Sequence, residues 1–144
     1  MNDTKRIGNE TELECIVYLY KLGCEILIPY GDSQKYDFAF ELNGKIYKVQ
    51  CKHANPTTNE LNEIEYITFK TCWESGRKER KRVHYTNNDI DFFATFYDGK
   101  CYMINVNETA SRCKTIRFNA PKNRQREGIT FAEDCIAERI IKLL

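Results

Sequence analysis

Tyr36-Asp37-Phe38-Ala39-Phe40-Glu41-Leu42-Asn43-Gly44-Lys45-Ile46-Tyr47-Lys48-Val49-Gln50-Cys51-Lys52 sets two alternating runs on either side of an Asn-Gly dipeptide. Asn-Gly favours a two-residue type I′ turn, because both central residues of that turn need positive φ. With Leu42 opposite Lys45, the register puts Asp37 opposite Gln50, and Lys52, two residues on, points to the same face. Directly opposed Cβ atoms lie roughly 4.5–5.5 Å apart. Asp37 and the Gln50 amide oxygen can therefore hold one cation between them, with the Cys51 carbonyl as a further oxygen ligand. Hard ions such as Mg²⁺ take oxygen ligands and often share them with a bound phosphate; Lys52 would add positive charge there. The same alternation also fits a half-solvated hairpin whose polar face carries an acid, an amide and a lysine.

A chain of 144 residues can bury a sizeable core, and we expect one domain over 1–144. Met1 to Arg6 lack an apolar signal-type segment, and no apolar run nears the roughly 18 residues that span a bilayer. A soluble, cytoplasmic protein with no membrane partner is the expectation. The seven cysteines are odd in number, form no C-x-x-C pair and fall mostly in apolar runs, as reduced core thiols do. Cys51, His53 and His84 do not make a four-ligand zinc pattern. Net charge is +1, yet residues 1–65 carry seven Lys/Arg against eleven Asp/Glu and the remainder fifteen against ten. Such separation suits a polyanion-binding surface beside an acidic metal site.

Leu13, Ile16, Val17 and Tyr20 mark the apolar stripe of a first helix from Thr4 to about Leu22, with Thr4 or Asn9 as cap and Gly23 as stop. Glu12 lies on it. Cys24–Pro29 reads as a short strand, 53–59 as a polar connection and Tyr66–Phe69 as another strand. Ile90–Tyr97, Asp98-Gly99 and Lys100–Val106 repeat the grammar of the first hairpin, and Lys114–Phe118 is a last strand. Thr130, with Glu133 three residues on, reads as the capping box of a C-terminal helix.

Two basic segments stand out. Arg77, Lys78, Arg80, Lys81 and Arg82 crowd one loop, which is either a solvated excursion or an arm on phosphate. The hydrogen-bonding residues Tyr85, Thr86, Asn87 and Asn88 nearby favour the arm. Lys122, Arg124 and Arg126 form a second candidate DNA contact.

The order Gly8-x-x-x-Glu12, Leu19, Gly23, Tyr36-Asp37 and Val49-Gln50-Cys51-Lys52 resembles the PD-(D/E)XK nuclease superfamily. Over the first third of the chain it is similar to archaeal Holliday-junction resolvases. It resembles still more the group I intron-encoded homing endonucleases, which use Q-x-K where most members have E-x-K. Asp89-Ile90-Asp91-Phe92-Phe93-Ala94, Tyr102-Met103-Ile104 and Ile116-Arg117-Phe118 extend that likeness over most of the chain. The resemblance implies an α/β restriction-endonuclease-like core, with a mixed central β-sheet flanked by helices. It also implies phosphodiester hydrolysis on double-stranded DNA with Mg²⁺ (or Mn²⁺). Carried over, Asp37 is the metal-binding acid, Gln50 stands at the usual second-acid position, Lys52 is the motif lysine and Glu12 the helix acid near the metal. Gln50 is a neutral departure, as is Ser33-Gln34-Lys35 in place of a proline before the acid.

One site cuts one strand, so double-strand cleavage calls for a homodimer or homotetramer. Alternatives are a junction-selective nuclease and a non-catalytic DNA-binding domain that keeps the fold.

Overall fold

The computed structural model describes residues 2–75, 81–109 and 112–144. Helix α1 (Asp3–Lys21) begins where the Asn2 side-chain oxygen accepts the Lys5 N–H at 2.9 Å, so the cap is neither Thr4 nor Asn9. It stops at Gly23, whose φ of +97° costs other residues a steric clash. Of the expected stripe only Ile16 packs against the core. Thr11, Cys15 and Leu19, spaced by four, face the sheet, while Leu13, Val17 and Tyr20 are 61, 49 and 64% exposed. Periodicity locates apolar arcs without saying which arc meets the sheet, and the small thiol of Cys15 allows the closer approach. Glu12, next to Thr11, is thereby half-buried.

The strands that follow are β1 (Glu25–Leu27), β2 (Phe38–Leu42), β3 (Lys45–Cys51), β4 (Asn55–Thr58), β5 (Ile64–Lys70), β6 (Cys72–Ser75), β7 (Lys81–His84), β8 (Phe92–Tyr97), β9 (Lys100–Asn105), β10 (Cys113–Arg117) and β11 (Thr130–Phe131). The central sheet has the order β1-β2-β3-β8-β9 and is mixed, because β3 and β8 run parallel while the other pairs are antiparallel. Both hairpin turns form as read: Asn43 and Gly44 have φ of +52° and +81°, Asp98 and Gly99 +48° and +78°.

This sheet is buried on both faces, which explains the near-continuous apolar run of β8. Phe92, Ala94, Cys101 and Met103 join Cys15 and Leu19 under α1, whereas Phe93, Tyr102 and Ile104 join Ile67, Phe69 and Ile116 on the far side. The far side is covered by a second sheet, of order β11-β10-β5-β4, and β6 pairs with β7 as a separate ribbon. Short helices α2 (Ala132–Cys135) and α3 (Ala137–Lys142) give one to each core: Cys135 packs in the far core and Ala137 in the core under α1.

Three readings need correction. The polar stretch after β3 contains strand β4, where Pro56 is tolerated because β4 is a sheet edge. The basic segment is partly strand: β6 and β7 pair as a hairpin, with Glu74 opposite Arg82. The capping box does not form; Thr130 pairs with Ile116 in β11, Phe131 is the N-cap without a side-chain bond, and Ile136 (ψ +140°) breaks the helix to bridge to Tyr102. Cys15, Cys24, Cys51, Cys72, Cys101 and Cys135 are thiols outside any disulfide. Among the described residues no helix is long and apolar enough to cross a membrane.

Candidate active site

The first hairpin keeps its register out to Phe38 opposite Val49, and there the ladder changes. Instead of continuing to a pair with Gln50, Asp37 donates its N–H to the Val49 carbonyl at 2.9 Å, and its Oδ2 accepts the Cys51 N–H at 2.8 Å. A side-chain oxygen has taken over from a backbone carbonyl. The Asp37 carboxylate is thus pinned against the peptide that carries Cys51, more tightly than a cross-strand pair would place it. The next peptide is tied the other way, Lys52 N–H to the Ala94 carbonyl at 2.9 Å, through the parallel pairing of β3 with β8.

Strand alternation sends Val49 and Cys51 toward α1, and Gln50 and Lys52 toward the opposite face, that of Phe93. The shared face expected for Gln50 and Lys52 is what the fold builds. The Gln50 amide leans back on the Cys51 carbonyl, Nε2 donating at 3.4 Å. Lys52 lies with its ammonium 5.5 Å from the centre of the Tyr85 ring, and that ring is wedged edge-on against Trp73 and Phe93 at 4.6 and 5.2 Å. Tyr85, read from sequence among the residues able to hydrogen-bond phosphate or base edges, places its ring beside the Lys52 ammonium. No local spacing connects residues 85 and 52; the β8 crossover brings them together.

The charges here are coupled. Burial, then the neighbouring Asp37 charge, raises the Glu12 carboxyl above the ordinary carboxylate range. Burial also raises Asp37, against the Cys51 N–H and the Lys52 charge, which both favour its ionised form. Lys52 is lowered by burial while Asp37 holds it up. The Tyr85 hydroxyl is pushed up to about 12 by burial and the Asp37 and Asp89 charges. Asp37, just before β2, thus links the charges of Glu12 on α1 and Lys52 just after β3 into one electrostatic unit. Among the described residues no three His, Cys, Asp or Glu side chains converge as a metal-holding group.

Beside Lys52 opens a groove of about 630 Å³, bordered by Ile7 of α1, His53, Asn55, Thr57 and Lys70. His53 Nδ1 lies 3.3 Å from Thr11 Oγ1, tying the chain after β3 to the helix. Asn55, Thr57 and Lys70 escaped sequence reading; the signal that could have found them is the β-branched Thr57-Thr58 pair after Pro56, which suits an edge strand. Of the basic positions, Arg77, Lys78 and Arg80 lie outside the described residues. Lys81 and Arg82 start β7, and Arg82 is exposed. Lys122, Arg124 and Arg126 are exposed on a loop, Arg126 with its guanidinium 4.8 Å over the Phe131 ring. None of the described ones borders the groove.

The chain matches, over residues 2–136, the model of a family described as PD-(D/E)XK endonuclease. Among solved structures it is similar to the bacterial homing endonuclease I-Ssp6803I, with a TM-score of 0.75 and 22% sequence identity, covering 99% of this chain and 94% of that one. That likeness is one of fold. No curated protein matches.

Proposed function

Because this chain belongs to the PD-(D/E)XK endonuclease family, we propose that it hydrolyses phosphodiester bonds in double-stranded DNA at the Glu12–Asp37–Lys52 unit, with a divalent cation, as a site-specific endonuclease. The observation that carries this reading is the Asp37 carboxylate docked on the Cys51 N–H, charge-coupled to both Glu12 and Lys52. The donor set fits a hard cation. Two half-buried carboxylates whose charged forms burial disfavours, Glu12 further by the Asp37 charge, are relieved by a cation, and the amide oxygen of Gln50 and the Cys51 carbonyl complete an all-oxygen set. When bound, Mg²⁺ or Mn²⁺ supplies Lewis acidity at phosphorus and a more acidic water.

The chain's own groups do the rest. Asp37 and Glu12 fix where positive charge can sit. Lys52, held by the Tyr85 ring and with its charged form favoured by Asp37 against burial, borders the groove to stabilise charge developing on the phosphoryl oxygens. Gln50 orients the Cys51 carbonyl through its amide. No nucleophilic side chain is needed, since water attacks directly. Arg82, Lys122, Arg124 and Arg126, with Arg77, Lys78, Arg80 and Lys81, serve phosphates outside the cleft.

Double-strand cleavage needs two such sites, so the working form is a homodimer or homotetramer. The exposed Leu13, Val17 and Tyr20 of α1 offer the apolar face for a second copy. The test is nicking of supercoiled plasmid by Asp37→Ala. It should bind DNA within about tenfold of wild type, a change of about 1.4 kcal/mol, and cut nothing with Mg²⁺; cleavage at the wild-type rate would overturn the assignment.

A further inference from the structure

We infer that the solvent face of β4, β5 and β10 is the surface that meets duplex DNA beside Lys52, with Asn55 and Thr57 presented to base edges and Lys70 and Arg117 to phosphates. The substrate class rests on the nuclease reading above; the placement rests on register and charge. In the antiparallel pairing, Thr68 lies between Asn55 and Thr115, and Tyr66 between Thr57 and Arg117. Register partners share a face. The intervening Ile67, Phe69 and Ile116 are 0, 2 and 0% exposed, so they fill the core and send that set outward.

From Cys113–Lys70 to Arg117–Tyr66 the outward register pairs contain no carboxylate; Ile64, opposite Thr58 beyond the bulge, is the aliphatic member, and Glu65 borders the far end beside Arg117. For a chain with 21 Asp and Glu in 144 residues, a stretch of sheet face bearing only Lys and Arg as charges is complementary to a polyanion. Its cations are also prepared. The Arg117 guanidinium lies 5.2 Å from the Tyr66 ring centre and donates its Nε–H to the Asn119 carbonyl at 3.2 Å, an arrangement that holds the fork in place and leaves its terminal N–H groups to meet phosphate. Arg117 is in register with Phe131, over which Arg126 lies, so the second basic loop arrives at the same end of the sheet.

The groove beside Lys52 runs onto this face through Asn55, Thr57, Thr68 and Lys70. A strand pair fits the width of the major groove, and sheets are known to read bases there. The edge strand is β4, where Pro56 removes a backbone donor, so the edge is unsuited to pairing with a strand of another copy. A duplex lying over β4 and β5 would reach Lys52 without leaving the surface.

The test uses the full chain and a fluorescein-labelled random-sequence duplex. Lys70→Ala/Arg117→Ala should weaken binding at least about tenfold and lower the slope of log K against log salt by about 1.8, two phosphate contacts' worth. Unchanged affinity and slope would overturn the placement. Should the double variant melt early, Lys70→Gln and Arg117→Gln singly carry the same measurement with chain length kept. In a second arm, a plasmid library with a randomised insert is cut with Mg²⁺ and its ends sequenced. Asn55→Ala/Thr57→Ala should change the base preference at those ends; identical ends would overturn the base-edge role. Wild-type protein that binds the duplex but cuts no plasmid with Mg²⁺ or Mn²⁺ would overturn the nuclease reading and leave the binding arm to decide the surface.

Discussion

Asp37 carries two demands that pull against each other. Its oxygen closes the backbone ladder by accepting the Cys51 N–H, while its charge sits half-buried beside Glu12. Substitutions separate the two. Asp37→Ala leaves the Cys51 N–H without its acceptor and should cost the metal-free protein about 1–3 kcal/mol. Asp37→Asn keeps an acceptor and removes the buried charge, so in EDTA at neutral pH it should melt higher than wild type. The sign follows from linkage: a carboxyl raised on folding is protonated more readily in the native state, so its penalty appears as pH rises through the raised value. The advantage of Asp37→Asn should therefore shrink as pH falls toward the ordinary carboxylate range, and a melting series against pH checks it. Gln50 brings no charge to the unit, and free protein should bind Mg²⁺ weakly. Gln50→Glu should bind it more tightly and retain cleavage, as a metal titration beside a cleavage assay would show; weak binding with lost cleavage would mean that the amide N–H is what matters. That Gln50 and Lys52 share a face was legible from one turn and one alternation. That Asp37 leaves the ladder was not, because register counts backbone positions and cannot foresee a side chain replacing a carbonyl.

At the scale of elements, α1 shows where periodicity runs out. The helix, its glycine stop and its acid were readable, but the arc that packs is Thr11, Cys15 and Leu19, leaving Leu13, Val17 and Tyr20 outside. If those three meet a second copy, Leu13→Ser/Val17→Ser should lower the molecular mass seen by light scattering and depress double-strand cuts more than nicks. An unchanged mass would assign the face to solvent. The β6–β7 ribbon supplies the other lesson: its charges announced an arm, whereas Trp73 from β6 buttresses the Tyr85 ring behind Lys52. Tyr85→Leu removes the ring face, and should lower the cleavage rate about tenfold, roughly the 1.4 kcal/mol within reach of a half-buried cation–π contact and its packing. DNA affinity should stay within threefold, about 0.65 kcal/mol.

Across the whole molecule, two sheets share one core layer, and the site lies at the seam where β3 ends and the chain passes into β4. The mixed sheet could be read in advance from its two hairpins. The second sheet could not, since its edge is a proline-containing polar stretch and its pairing of β5 with β10 spans more than forty residues. In a 17.0 kDa chain with a net charge of only +1, the proposed DNA contact rests on where the charges lie: Glu12 and Asp37 at the proposed metal site, Lys70 and Arg117 on the second sheet. The most direct measurement is nicking of supercoiled plasmid with Mg²⁺ by wild type and Lys52→Ala, alongside duplex binding by both. Wild type should convert the plasmid, and Lys52→Ala should bind within about tenfold, a difference of about 1.4 kcal/mol, and leave it supercoiled; full cleavage by Lys52→Ala would contradict the account.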